Sequence, residues 1–257
     1  MKKITAMLLA LMLALSAIPA LAETLVVATN AEFPPFEYVE GEEIVGLDID
    51  IAREIAKDLG WDFEVQSMAF DAIVPAVASG KATIAIAGMT INDERKMSVD
   101  FSDPYYNAKQ ACIVLKDGTV TDGETLKDKT IGVQQGTTGD FAAEEYTATD
   151  KVMRYNKALD AVMELAGGKL DAVIIDAPVA ANLVASMNNE NLVVLDNIEF
   201  GDEFYGIAVQ KGNADLLASI NATIERINSD GTMDALLLKY FPVTEEAAEE
   251  EETAAVE

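Results

Sequence analysis

The sequence predicts an α/β protein made of two successive units of alternating strands and helices. Three observations carry that reading. Short apolar, β-branched runs alternate with stretches of helical periodicity through most of the 257 residues. The alternation occurs twice, with no Pro- or Ser-rich linker between the two series. No stretch, residues 4–17 included, is long and apolar enough to cross a bilayer as a helix.

The elements follow in order. Residues 24–29 read as a buried strand. Residues 48–59 place Ile51, Ile55 and Leu59 on one face, with Ala52 and Ala56 beside it, and Gly60 stops the helix. A strand over 62–66, a helix over 71–79 closed by Gly80 and a strand over 82–87 complete a β-α-β-α-β series. Such a series implies a parallel sheet with helices on its faces. The second series has strands over 109–115 and 130–133, a helix over 138–146 and a strand over 151–155. It continues with a helix over 158–166 stopped by Gly167-Gly168, a strand over 172–175, a helix over 178–186 and a strand over 192–195. A strand over 204–210 and helices over 214–228 and 232–240 close the pattern.

The two ends differ from this body. Residues 1–22 match a removable export signal, with Lys2 and Lys3, an apolar run over 4–17, and small Ala20 and Ala22 where a signal peptidase reads. Cleavage after Ala22 leaves Glu23 first, where a lipoprotein needs Cys, so no lipid anchor is expected. The expected location is therefore periplasmic or secreted. Residues 243–257 form a Glu/Ala-rich acidic tail, expected to be disordered.

The chain carries 18 Lys+Arg against 45 Asp+Glu, a net charge of -27. Such a surface repels nucleic acid and anionic lipid, which excludes both as partners. The single cysteine, Cys112, lies in an apolar run, reads as a buried hydrophobe and has no partner for an internal disulfide. The sequence contains no histidine. His-based acid/base chemistry, Ser-His-Asp triads and His metal sites are thereby excluded. One cysteine excludes thiolate clusters. No phosphate-binding or dinucleotide glycine motif is present. No metal and no cofactor is expected, and binding outranks catalysis.

Four features can carry binding chemistry, and each has a plainer reading. Arg95 follows the strand expected over 82–87, and ligands of open α/β sheets sit beyond the carboxyl ends of strands. Its guanidinium is suited to grip a carboxylate through two hydrogen bonds, or it pairs at the surface with Asp93 or Glu94. Asp176 ends another apolar strand, where it receives an ammonium group or caps the next helix. Gly136-Thr137-Thr138-Gly139 leads into a helix whose free N–H groups favour an anion, or it is a capped turn. Phe33, in a stiff loop with Pro34 and Pro35, and Phe70, at a helix start, are two walls for a ligand or two core residues.

Together these pieces resemble the family-3 extracellular solute-binding proteins, the amino-acid receptors of ABC importers. The matching stretches are Val27-Ala-Thr-Asn-Ala-Glu-Phe-Pro-Pro-Phe-Glu-Tyr38, Gly46-Leu-Asp-Ile-Asp-Ile-Ala52 and Gly88-Met-Thr-Ile-Asn-Asp-Glu-Arg-Lys96. Asp100-Phe-Ser-Asp-Pro-Tyr-Tyr106, Ile131-Gly-Val-Gln-Gln-Gly-Thr-Thr138 and Leu170-Asp-Ala-Val-Ile-Ile-Asp176 also match. The resemblance implies a two-lobe periplasmic-binding-protein fold of type II, with two crossovers at the hinge. By position, lobe 1 is 23–107 plus 204–242 and lobe 2 is 108–203. The resemblance places carboxylate binding on Arg95, with Gly88 and Thr90 beside it. It places the ammonium on Asp176, a backbone donor at Thr138, an aromatic sandwich at Phe33 and Phe70, and specificity at Gln134. It also implies a membrane permease as partner, a monomer and a hinge that closes on the ligand.

Asn30 departs from the pattern, since many relatives carry Asp there. The named pocket then holds one cation, Arg95, and one anion, Asp176. That balance suits a neutral, polar amino acid such as glutamine, read by Gln134 and Asn30, because an unpaired buried charge is costly. Arginine or lysine is the alternative if a further acid approaches in the fold. A cyclohexadienyl dehydratase-like enzyme is the second alternative, which the missing histidine disfavours.

Overall fold

Strand β1 (Thr24–Thr29) sits inside the first sheet, with alternate Leu25 and Val27 wholly buried. The computed structural model describes residues 23–195 and 197–242, so the expected export signal and acidic tail lie outside the described residues. The small strands β2 (Glu32–Phe33), β3 (Glu37–Glu40) and β4 (Glu43–Val45) follow and pair with one another as a separate antiparallel sheet. Strands of two to four residues carry no alternation to read, and the expected stiff loop at Pro34-Pro35 hid this hairpin.

Helix α1 (Leu47–Leu59) buries Ile51, Ala52, Ile55 and Ala56, the face that its periodicity predicts. Gly60 ends it at φ 68, a left-handed turn that costs glycine nothing. Strand β5 (Asp62–Ser67) runs parallel to β1 over its whole length. Helix α2 (Phe70–Ala78) leads to β6 (Ile84–Ala85), also parallel to β1 but shorter than the expected strand over 82–87. A one-turn helix, α3 (Asp93–Lys96), and β7 (Val99–Phe101) come next.

The second sheet is built on β8 (Tyr106–Leu115), with β9 (Ile131–Gln134), β10 (Val152–Tyr155), β11 (Ala172–Asp176) and β12 (Leu192–Leu195) in the order β10-β9-β11-β8-β12. Helices α4 (Thr138–Tyr146), α5 (Ala158–Ala166) and α6 (Ala177–Met187) lie close to their expected bounds. Cys112 is wholly buried in this unit, and burial pushes its thiol up to about 12.

The region expected as one strand over 204–210 is two: β13 (Asp202–Tyr205) and β14 (Ala208–Gln210). Strand β13 pairs antiparallel with β8, whereas β14 enters the first sheet between β6 and β7. Gly206 lies at the break, where a Cβ would come within 2.7 Å of Ile91. The last strand therefore returns to the first unit, and α7 (Ala214–Ser229) and α8 (Thr232–Tyr240) follow it, α7 packing on α1.

Neither sheet is purely parallel, as local alternation alone implied. Strands joined by helices are parallel, but β14 runs antiparallel to both β6 and β7 in one sheet and β8 runs antiparallel to both β11 and β12 in the other. Those strands arrive by passing between sheets or by reversal, which a strand-helix-strand pattern does not report. Where the chain passes between units, wholly buried Tyr205 stacks on Tyr106 at 5.6 Å and meets Phe36 edge-on at 5.1 Å.

Candidate site between the two sheets

The sequence-derived candidates come from the carboxyl ends of strands in both sheets, and most converge there. Asn30 follows β1, while Gly88, Thr90 and Arg95 follow β6. Gln134 ends β9, Thr138 opens α4 and Asp176 ends β11. This is the position at which open α/β sheets hold ligands.

Arg95 is held on α3, whose cap residue Asn92 accepts from the Arg95 backbone N–H at 2.8 Å. Its side chain is buried, with 8% of the residue exposed. Nη1 donates to the Thr90 carbonyl at 2.6 Å and Nη2 donates to the Gly136 carbonyl at 3.1 Å, joining the two units. The guanidinium also lies 5.2 Å over the Phe70 ring. It makes no ion pair with Asp93 or Glu94, so the surface-pair reading fails. Burial pulls its pKa down, while Glu203 and Asp176 oppose that pull.

Asp176 occupies the cap position of α6 without capping it. It accepts a hydrogen bond from the Tyr205 hydroxyl instead. Burial, and then the charge of Glu203, push its carboxyl up to about 7. The Gly136–Gly139 turn is capped, because Thr137 accepts from Asp140 N–H and Asp140 accepts from Gly136 N–H. Its Thr138 hydroxyl reaches further, to Glu203 Oε2 at 2.7 Å.

At the other end, Gln134 Nε2 donates to Asn30 Oδ1 at 2.9 Å, and Asn30 Nδ2 donates to the Met68 carbonyl at 2.8 Å. Gln134 Oε1 is buried without a partner. Phe33 is buried against Phe36, with ring centroids 6.1 Å apart, and Phe70 faces Arg95. Gly88 adopts φ 51 beneath Phe33, where a Cβ would lie 2.9 Å from the ring. A cavity of about 330 Å³ opens beside Phe70, Arg95 and Gly136. Larger cavities of 470 and 750 Å³ lie elsewhere, along β8 and over the β2–β3 hairpin, so charge convergence rather than volume locates the site.

A family model of the bacterial extracellular solute-binding proteins, family 3, matches residues 25–243. The chain belongs to that family. A probable histidine-binding protein of Neisseria gonorrhoeae is 35% identical, the match covering 84% of this chain and 82% of that protein. An ancestral arginine-binding protein bound to arginine is 42% identical with a TM-score of 0.81, covering 86% of this chain and 99% of that structure. An ancestral arginine-binding protein bound to glutamine is 43% identical with a TM-score of 0.80, covering 86% and 98%. The fold is the two-lobe type II binding-protein fold that the resemblance implied.

Two features of this family-3 protein escaped the sequence reading. Glu203 on β13 places Oε2 2.5 Å from the Thr90 hydroxyl and 2.7 Å from the Thr138 hydroxyl, accepting from both lobes. Beneath the site, wholly buried Asp48 accepts from Gly88 N–H at 2.7 Å and from the Tyr105 hydroxyl at 2.8 Å. Glu37, equally buried beside it, is placed to donate its carboxyl proton to Asp48 and has no other hydrogen-bond partner. Burial and then the charge of Asp48 hold Glu37 well above the usual carboxylate range, and burial pushes Asp48 up to about 6. With acids so abundant, no spacing in the sequence singled these out. Among the described residues, no group of three or more His, Cys, Asp or Glu is placed to hold a metal ion.

Proposed function

We propose that this protein captures an amino acid between its lobes outside the cytoplasm and delivers it to an ABC-importer permease, with arginine as the best-fitting ligand. The observation that carries the reading is the opposition of Arg95, on the first lobe, to Asp176, on the second. A zwitterion offers a carboxylate to one and an ammonium to the other. Asp48 accepts from the Gly88 N–H and so fixes the backbone that borders this end of the pocket. Phe33 and Phe70 line the path of the side chain.

The side-chain end favours N–H donors. Gln134 Oε1 is a buried acceptor without a partner, and leaving it so costs about 1–3 kcal/mol. A guanidinium supplies five N–H donors. Around the cleft, Arg95 and Lys157 stand against Asp176, Glu203, Glu32 and Asp71, an excess of acid that suits a cation. The arginine-bound and histidine-binding relatives agree with that preference. Glutamine is the second reading, favoured by the uncharged Asn30–Gln134 pair and by the glutamine-bound relative.

The lobes divide at 107/108 and 203/204 in this reading, and the paired strands β8 and β13 form the hinge. Ligand on the first lobe recruits Asp176, Thr138 and Gln134 from the second, and those added contacts favour closure. The protein acts outside the cytoplasm as a monomer and as a receptor rather than an enzyme. A thermal-shift screen of the twenty amino acids tests the assignment. Ligand at 100 times its Kd adds about 2.7 kcal/mol, and at one common concentration the tighter ligand adds more, so arginine gives the largest shift and glutamine the next. No shift with any amino acid overturns it, as does turnover of prephenate or arogenate.

A further inference from the structure

We propose that Glu203 is an internal competitor for the ligand: its carboxylate occupies the carboxylate seat formed by Thr90, Thr138 and Arg95 and latches the lobes together until an amino acid displaces it. The inference rests on the reading of those three residues as that seat. Glu203 Oε2 accepts from Thr90 of one lobe at 2.5 Å and from Thr138 of the other at 2.7 Å, and its charge acts on Arg95 from beyond ion-pair distance. One oxygen thereby bridges both lobes, as a ligand carboxylate would. Glu203 is carried on β13, paired with Ala108 on β8, so it is tethered where the chain passes between lobes. A tethered carboxylate acts at high effective concentration and needs little intrinsic affinity to populate the seat.

The latch is incomplete, which is why a ligand removes it. Glu203 and Asp176 are two acids facing the single guanidinium of Arg95, and they repel each other. A zwitterion replaces the Glu203 carboxylate with its own and also brings an ammonium to Asp176. A simple carboxylate brings only the first half of that exchange and a simple amine only the second. The apparent affinity for the full ligand is lowered by the fraction of protein in the latched state. Glu203 therefore sets affinity without needing to touch the bound amino acid.

Titration calorimetry of L-arginine and L-glutamine into wild type, Glu203→Gln and Glu203→Ala tests the proposal. Glu203→Gln keeps size and hydrogen bonding but removes the attraction to Arg95, so it also guards against a folding defect in the alanine variant. The expected result is several-fold tighter binding in both variants. In parallel, spin labels at Lys81→Cys and Lys169→Cys report the lobe separation without ligand, and Glu203→Ala shifts that distribution to longer distances. Unchanged or weaker binding in both variants, or an unchanged distance distribution, overturns the latch. Arg95→Ala is measured alongside. Its loss of binding supports the seat whichever way the Glu203 variants turn, and its retention of full affinity removes both the seat and the latch.

Discussion

Gln134 and Asn30, 104 residues apart in the chain, share a 2.9 Å hydrogen bond across the junction of the two lobes. Each residue ends or follows a strand of a different sheet, so this bond forms only when the lobes meet. It leaves an acceptor, Gln134 Oε1, at the specificity end. Asn30→Asp keeps the acceptor that Gln134 uses and adds a charge, at the cost of the bond to the Met68 carbonyl. We expect arginine to gain over glutamine by about tenfold, or about 1.4 kcal/mol, in paired calorimetric titrations. A preference moving toward glutamine would contradict the side-chain assignment.

Arg95→Ala removes a buried guanidinium together with its bonds to Thr90 and Gly136. Loss of a desolvated charge partner costs about 2–5 kcal/mol of binding. Arginine affinity is therefore expected to fall by about 30-fold or more, while circular dichroism stays native. Arg95→Lys restores charge but not the planar fork, and recovers only part of the loss.

Gly88 tests whether backbone geometry positions Phe33. At φ 51 a side chain is strained, and its Cβ would lie 2.9 Å from the Phe33 ring. Gly88→Ala is expected to cost about 1–2 kcal/mol of stability, and displacement of Phe33 should weaken arginine binding as well. Denaturant melts and titrations on the same preparation read both effects. An alanine variant with wild-type stability and affinity would show that the ring is free to move.

Protons make two predictions. Asp176, pushed up to about 7, must be ionised to hold an ammonium, so binding near pH 7 releases a proton and affinity rises with pH through that range. Titrations in buffers of different ionisation enthalpy measure the release, and identical heats would contradict it. Stability runs the other way. Asp176, Asp48 and Glu37 all have folded-state pKa values above their unfolded ones. The stability that they contribute is full below the ordinary carboxylate range and is lost as pH climbs through about 6 and then about 7. The melting temperature should therefore fall between pH 5 and pH 8, and Glu37→Gln should flatten that fall. An equally steep fall in the variant would remove Glu37 from the account.

Much of this was legible in the sequence because it depends on local chemistry. Helix α1 announces itself through Ile51 and Ile55 and ends at Gly60 for a backbone reason. Arg95 and Asp176 were visible as charged residues just past apolar strands. Their plainer readings fail only on three-dimensional facts, the Thr90 and Gly136 carbonyls for one and the Tyr205 hydroxyl for the other. Glu203 was not legible, because its meaning depends on β13 pairing with β8 rather than continuing into β14. Asp48 and Glu37 were hidden among 45 acids, and only burial distinguishes them.

The central claim is that the two lobes clamp the two charged ends of an amino acid. Parallel titrations of L-arginine and of agmatine, which keeps the guanidinium but lacks the carboxylate, test it most directly. We expect arginine to bind and agmatine to give no measurable binding, because Arg95, Thr90 and Thr138 then have no carboxylate to hold. Agmatine binding as tightly as arginine would contradict the account.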